Sequence, residues 1–246
     1  MRSSAACSDG LFWARQSVPI HAAIHSSSSN LPFEARSRSR LAGMSSVWAV
    51  VTGAVAGAGG AVLLRWVPRG VRVPALACGV LVAALWAVIV ASAGGLPVWW
   101  WPIPLVLAWS GVLLGAADVV VRRLPDALTL PAYPVVVVLL TVAAVGVGDA
   151  DLMVRAVAGA LLWAGGYAAV RLIAPGALGG GDVKLAGSLG ALTAASSWPG
   201  LLLAILAASA LTVVIAGPAR MLGYHDVPHG PAMLAAAWLV VLHPPV

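Results

Sequence analysis

Long apolar segments recur along most of the chain, and they constrain its fold more than any other feature. The 246 residues are 61% hydrophobic and only 9% charged, whereas about a quarter of the residues in a soluble domain are charged. Most of the segments reach the roughly 18 to 20 residues that a helix needs to cross a membrane. Eight segments can be delimited, at residues 47–66, 73–95, 101–121, 127–147, 152–174, 184–195, 198–217 and 230–243.

The sixth of these segments, residues 184–195, is too short to cross a membrane as a straight helix. We expect it to be a short helix shielded by its neighbours, because backbone at membrane depth must be buried in protein or lie in a helix. The predicted fold is therefore an all-α, polytopic membrane bundle with seven or eight transmembrane helices. No polar stretch is long enough to form a separate soluble domain.

Residues 1–43 differ in composition from the rest of the chain. They are rich in serine and arginine, include the alternating residues 36–40 (RSRSR), and contain no apolar segment of helix length. This composition predicts a disordered extension, and the missing apolar core argues against a secretory signal. We predict that translation starts at Met44 and that residues 44–246 form the membrane-embedded domain.

The positive charge of the chain does not indicate a nucleic-acid partner. Although the net charge is +6, five of the fourteen basic residues precede Met44, and no basic stripe with interleaved aromatic residues follows. A nucleic-acid-binding surface is therefore not expected. The two cysteines, Cys7 and Cys78, are isolated from each other, so neither a zinc ribbon nor a disulfide framework is predicted.

The loops between the apolar segments divide into a basic set and a nearly neutral set. Because lysine and arginine are retained on the cytosolic side of a membrane, the basic set is predicted to face the cytosol. The neutral set includes the acidic turn at residues 148–151, with Arg155 just beyond it, and the run Trp99, Trp100 and Trp101, which we expect to form an interfacial belt. The basic set carries Arg65, Arg69, Arg72, Arg122, Arg123, Arg171, Lys184 and Arg220.

Two aspartates lie where a structural role alone does not account for them. Asp118 lies within the apolar run that ends the third segment, and an ionisable group at that depth usually marks function. Asp182 follows three glycines, which allow close backbone approach or positive φ. The structural alternatives are an ion pair of Asp118 with Arg122 and an N-cap of the sixth helix by Asp182.

Counting the membrane crossings places Asp118 and Asp182 on the same, cytosolic side. Two carboxylates in a low-dielectric site cannot both ionise cheaply, so such a pair holds one proton. One carboxylate then accepts a proton from water while the other donates one to the developing oxyanion. This is the chemistry of an aspartyl protease, and it requires neither a metal nor a cofactor. The alternative is a transporter that moves protons or cations through the same aspartates.

Three motifs along the chain resemble those of the type IV prepilin peptidases, a family of membrane aspartyl proteases. Residues 117–129 (ADVVVRRLPDALT) resemble the signature around the family's first aspartate, in which basic residues and an I/L-P-N/D-x-L-T run follow. Residues 179–185 (GGGDVKL) resemble its GxGD-x-K-[LM] motif. Residues 227–231 (VPHGP) are similar to the I-P-[FY]-G-P element that opens the last helix, although we expect the histidines of that loop to be solvated.

The resemblance implies an enzyme that removes the basic leader from type IV prepilin or pseudopilin precursors at the cytosolic face of the cell membrane. By position, Asp118 and Asp182 are the catalytic pair, and Gly179 and Gly181 shape the loop before Asp182. Supporting positions in the motifs are Lys184, Pro125 and Pro231. The implied partners are the precursor proteins and membrane lipid.

The chain departs from the full-length members of this family in one region. Those members carry a cysteine-containing cytosolic domain between their first two helices and also methylate the mature pilin. Here that loop spans only residues 65–73 and contains no cysteine. We therefore expect a short, peptidase-only form. The presenilin-like relatives use a Tyr-Asp pair, which Ala117 before Asp118 does not match.

Overall fold

The computed structural model describes residues 33–66, 71–92, 96–121, 126–176, 178–222 and 228–245. These residues form eight α-helices and contain no β-strand. The helices are α1 (Phe33–Leu63), α2 (Ala75–Ala91), α3 (Pro102–Val121), α4 (Asp126–Val147), α5 (Asp151–Ile173), α6 (Gly180–Ser196), α7 (Trp198–Met221) and α8 (Gly230–Val241). Every predicted apolar segment overlaps one helix.

Five of these helices are long and apolar enough to cross a membrane, and they are α1, α3, α4, α5 and α7. Helices α2 and α8 are apolar but shorter. The prediction of an all-α, multi-pass membrane bundle is confirmed. The count of seven or eight transmembrane helices stays a prediction, because only five helices have the full length.

Helix α6 is the short central helix of the bundle. Each residue from Leu185 to Ser196 is buried, and α6 packs against α4, α5, α7 and α8. Its closest neighbour is α5, where Gly159 and Gly190 face each other so closely that a Cβ on either would meet the other's carbonyl oxygen. Small residues permit such close helix packing in membranes. The prediction that neighbouring helices shield the sixth segment is therefore confirmed.

The N-terminal region differs from the prediction in part. The chain divides into a unit of Met1–Ala42 and a compact unit of Gly43–Val246. Helix α1 begins at Phe33, so residues 33–43 are helical where disorder was predicted. The arginines, alanines and leucine of this stretch are good helix formers and outweigh its serines. Residues 1–32 lie outside the described residues, and the start at Met44 stays a prediction.

The tryptophan cluster also differs from the prediction. Trp100 has no exposed surface, and its indole Nε1 donates a hydrogen bond to the Val241 carbonyl oxygen at 2.7 Å. Trp99 packs edge-on against Trp100 with ring centroids 5.9 Å apart. Trp100 is therefore a core residue that ties the start of α3 to the end of α8, and the expectation of an interfacial belt was wrong for it. The indole N–H explains this, because a buried carbonyl at a helix end needs a donor.

Candidate active site

The first predicted site residue, Asp118, lies in the last turn of α3. Its side chain is buried, with 7% of its surface exposed. The backbone N–H of Gly230, the first residue of α8, hydrogen-bonds to its carboxylate. A Cβ at position 230 would lie 2.8 Å from the Asp118 Oδ2 atom, so only glycine fits there without displacing the carboxylate. The alternative ion pair with Arg122 lies outside the described residues.

The second predicted site residue, Asp182, lies in the first turn of α6 and is half-buried. Its Oδ2 atom accepts a hydrogen bond from the backbone N–H of Gly179 at 3.3 Å. The N-cap of α6 is Gly179, with Asp182 three residues further on. The N-cap interpretation of Asp182 was therefore wrong by position, because it is the acidic N3 residue of a capping box that reaches back to the N-cap.

The two aspartates belong to one electrostatic group around the N-terminus of α8. The charge of Asp182 acts on Asp118, and Asp182 also interacts with His229, the N-cap residue of α8. Burial raises the pKa of Asp182, which precedes the fully buried part of α6, while His229 and the Gly179 N–H oppose this rise. The free N–H groups at a helix N-terminus favour nearby negative charge. Helices α3, α6 and α8 thus bring two carboxylates together beside a source of positive potential.

His229 is the site residue that the sequence interpretation missed. The ring was expected to be solvated, but the structure half-buries it and engages both ring nitrogens. Nε2 lies 2.8 Å from the Tyr167 hydroxyl oxygen on α5, and Nδ1 lies 2.6 Å from Thr212 Oγ1 on α7. The VPHGP motif marked the position, but its partners come from helices distant in sequence. Asp226 and His225, in the same loop, lie outside the described residues.

The supporting residues predicted from the motifs have different positions. The backbone carbonyl of Lys184 accepts a hydrogen bond from the Tyr133 hydroxyl at 2.6 Å, which joins α4 to α6, while the lysine side chain is exposed. Gly179 has a negative φ of −69°, so a positive φ does not explain it. A Cβ at Gly179 would lie 3.2 Å from Asp182 Oδ2, which is a tight contact.

Two of the remaining supporting residues lie in the first turn of a helix. Gly181 lies in the first turn of α6, so the expectation that it shapes a loop before Asp182 was wrong. Pro231 is in the first turn of α8, where the missing N–H of proline costs nothing. Pro125 lies outside the described residues.

The site contains few groups that suit a metal. Among the described residues, no cluster of three or more His, Cys, Asp or Glu side chains is arranged to hold a metal ion.

These helices and this site define a class of membrane protein. The chain is a multi-pass helical membrane protein in which α3 and α6 contribute one carboxylate each to a shared, partly desolvated site. A pair with one buried and one half-buried carboxylate is typical of a functional site and costs stability.

Comparison with known proteins finds one family that resembles part of the chain. Residues 105–217 match the model of the type IV leader peptidase family. The match begins in α3, ends in α7 and includes both Asp118 and Asp182. It confirms the resemblance to the type IV prepilin peptidases over these residues, which include the first two motifs but not residues 227–231. No curated protein and no solved structure matches the chain.

Proposed function

We propose that the protein is an aspartyl endopeptidase that removes the basic leader of type IV prepilin or pseudopilin precursors at the cytosolic face of the cell membrane. The observation that carries the proposal is the pairing of Asp118 and Asp182 at the N-terminus of α8. Both lie within the residues that match the leader peptidase family. The excess of arginine in the loops on the same side as these aspartates supports the cytosolic orientation.

The proposed reaction uses the pair as a general base and a general acid. The ionised carboxylate accepts a proton from a water molecule as the water oxygen attacks the scissile carbonyl carbon. The protonated carboxyl donates its proton to the carbonyl oxygen as the tetrahedral intermediate forms. Collapse of that intermediate breaks the C–N bond: the leaving amine takes the proton that the first carboxylate accepted from water, and a hydroxyl of the intermediate returns a proton to the second carboxylate. Burial of Asp118 and half-burial of Asp182 favour the sharing of one proton between them.

Helix ends determine how this pair is held. Asp118 is fixed by the packing of α3 and by the Gly230 N–H, and Asp182 by the Gly179 N–H. The Tyr133 hydroxyl, which bonds to the Lys184 carbonyl, fixes the first turns of α6 relative to α4. Positioning by backbone groups on rigid helices keeps the two carboxylates oriented during the reaction.

The test is the replacement of each aspartate by asparagine in the full-length chain. A precursor with a basic leader, a glycine and an apolar helix is co-expressed, and cleavage is followed by its shift in mass. We expect Asp118→Asn and Asp182→Asn each to reduce cleavage about 100-fold to 10,000-fold, as for loss of a general acid or base. Asp151→Asn, an exposed aspartate in the first turn of α5, is the matched control and should cleave normally.

The same variants distinguish the protease from a transporter. A contrary result is that both asparagine variants still process the precursor while proton or cation flux into proteoliposomes is lost. That result would support the transporter interpretation and contradict the protease proposal. Loss of cleavage with folding intact supports the protease. Thermal unfolding in detergent should show that the variants are as stable as the wild type or more so, because a desolvated carboxylate is removed.

A further inference from the structure

His229 occupies the centre of the site, at the junction of four helices. It is the N-cap residue of α8, and the next residue, Gly230, contacts the Asp118 carboxylate. The imidazole ring lies beside Tyr167, with ring centroids 5.7 Å apart and a tilt of 36° between the planes. Because its two ring nitrogens bond to α5 and α7, the ring fixes where α8 begins. The position of Gly230 relative to Asp118 depends on that anchor.

The hydrogen-bond pattern assigns the protonation of the neutral ring. Thr212 Oγ1 donates its single hydrogen to the Ala208 carbonyl oxygen at 2.9 Å, so it accepts a hydrogen bond from His229 Nδ1 at 2.6 Å. Nε2 is then the acceptor of the Tyr167 hydroxyl proton at 2.8 Å. In the neutral Nδ1–H form both contacts are satisfied. Protonation of Nε2 would require the Tyr167 hydroxyl to turn and accept instead.

The charged and titratable groups around His229 come from the helices packed against it. They are Tyr167 on α5 and Asp182 on α6. Asp118 on α3 lies beside the neighbouring residue Gly230, and α7 contributes the uncharged Thr212. Burial lowers the pKa of His229, and the charge of Asp182 opposes this. The ring is therefore neutral near pH 7 and becomes charged as the pH falls. Once charged, it lies beside Asp182 and favours the ionised carboxylate.

We propose that His229 is a positioning residue of the proposed protease, which anchors the N-terminus of α8 against Asp118 and sets the acid limit of cleavage through its charge beside Asp182. This inference rests on the proposed function. The imidazole at this position places titratable nitrogens beside the carboxylate of Asp182. The histidine therefore adds a pH-dependent charge to this chain's site.

The test compares kcat/KM for the model precursor between about pH 4.5 and pH 8.5 in the wild type, His229→Phe and His229→Gln. The imidazolium stabilises the Asp182 carboxylate, so the wild type retains activity at lower pH. We expect the acid limb to move up by about one pH unit in both variants, which lack the charge. Plateau activity should fall about ten-fold in His229→Phe, because both hydrogen bonds are lost. It should fall less in His229→Gln, whose amide can bond to Tyr167 and Thr212.

The matched control is His243→Phe, since His243 is exposed and lies beyond the opposite end of α8. Its pH profile should coincide with that of the wild type. The inference is overturned if the acid limbs of both His229 variants coincide with the wild-type limb. If the wild type itself does not cleave the precursor, the proposed function fails instead, and the two failures are thus distinguishable. Should His229→Phe not fold, His229→Gln carries the same comparison of acid limbs.

Discussion

The two ends of the bundle show how differently one helical scaffold uses its polar groups. The tryptophan end, with Trp99, Trp100, Trp101, Val241 and Asp149, satisfies buried carbonyls with indole donors and contains an ion pair near the surface. The aspartate end, with Asp118, Asp182, His229 and Gly230, brings titratable groups together in a desolvated site.

This difference has a thermodynamic meaning. An indole N–H that bonds to a carbonyl is neutral, so it satisfies a buried acceptor without the cost of desolvating a charge. Paired carboxylates in a partly buried site cost free energy and are retained where chemistry needs them. We therefore expect substitutions at the aspartate end to affect activity more than stability, and substitutions at the tryptophan end to do the reverse.

The largest effect is expected from Gly230→Ala at the aspartate end. The added Cβ would lie 2.8 Å from Asp118 Oδ2, so the carboxylate or the start of α8 must move. A displacement of about 1 Å in a catalytic group can reduce the rate about 100-fold. We expect a loss of that order in cleavage of the model precursor, measured as kcat/KM at neutral pH.

Gly115→Ala is the matched control for this substitution. Gly115 lies one turn before Asp118 on α3, and its added Cβ would lie 3.9 Å from Pro231, an ordinary contact. The control should retain cleavage and lose no stability, because alanine favours the helix over glycine. Equal activities in the two variants would show that the contact between Gly230 and Asp118 does not matter for cleavage.

The tryptophan end is tested by Trp100→Phe, which keeps an aromatic ring but removes the indole N–H. The Val241 carbonyl oxygen then loses its donor at 2.7 Å, and a smaller ring fills a fully buried position. We expect a destabilisation of about 1–3 kcal/mol, measured as a lower Tm in detergent, with kcat/KM of the folded protein for the model precursor unchanged.

Trp66→Phe is the control for that measurement, because 83% of the Trp66 surface is exposed. Its Tm should stay close to the wild-type value. If Trp100→Phe instead reduced cleavage while the Tm was unchanged, the division of roles between the two ends would be wrong.

The same comparison shows what the sequence could predict. Apolar segment length predicted all eight helices, and the short sixth segment predicted the shielded position of α6, because both follow from local composition and from the thickness of a membrane. The VPHGP motif predicted where α8 begins, whereas α6 begins at Gly180, within the stretch that was assigned to the loop before Asp182. These are properties of single segments.

The details of the site depend on contacts between segments, and the sequence did not predict them. The bonds from His229 to Tyr167 and Thr212 require α5, α7 and α8 to present particular faces to one another. The burial of Trp100 requires the start of α3 to meet the end of α8. Tryptophan near a helix end fits either an interface or a core, and only the packing distinguishes them. These contacts depend on how each helix is rotated about its own axis, and composition does not predict that rotation.

The smallest effect is expected at the ion pair of the tryptophan end, between Asp149 Oδ2 and Arg155 Nη2 at 3.1 Å. The two side chains are 36% and 27% exposed, so solvent screens the pair, and such pairs contribute about 0–1 kcal/mol. Asp149 Oδ1 also accepts the Asp151 N–H at 2.9 Å, and an asparagine at position 149 can still accept that bond through its side-chain oxygen. Asp149→Asn should therefore lower the Tm by no more than about one or two degrees and leave cleavage unchanged. A large loss of cleavage in this variant would mean that the two ends are coupled, and the aspartate end could then no longer be treated as an independent site.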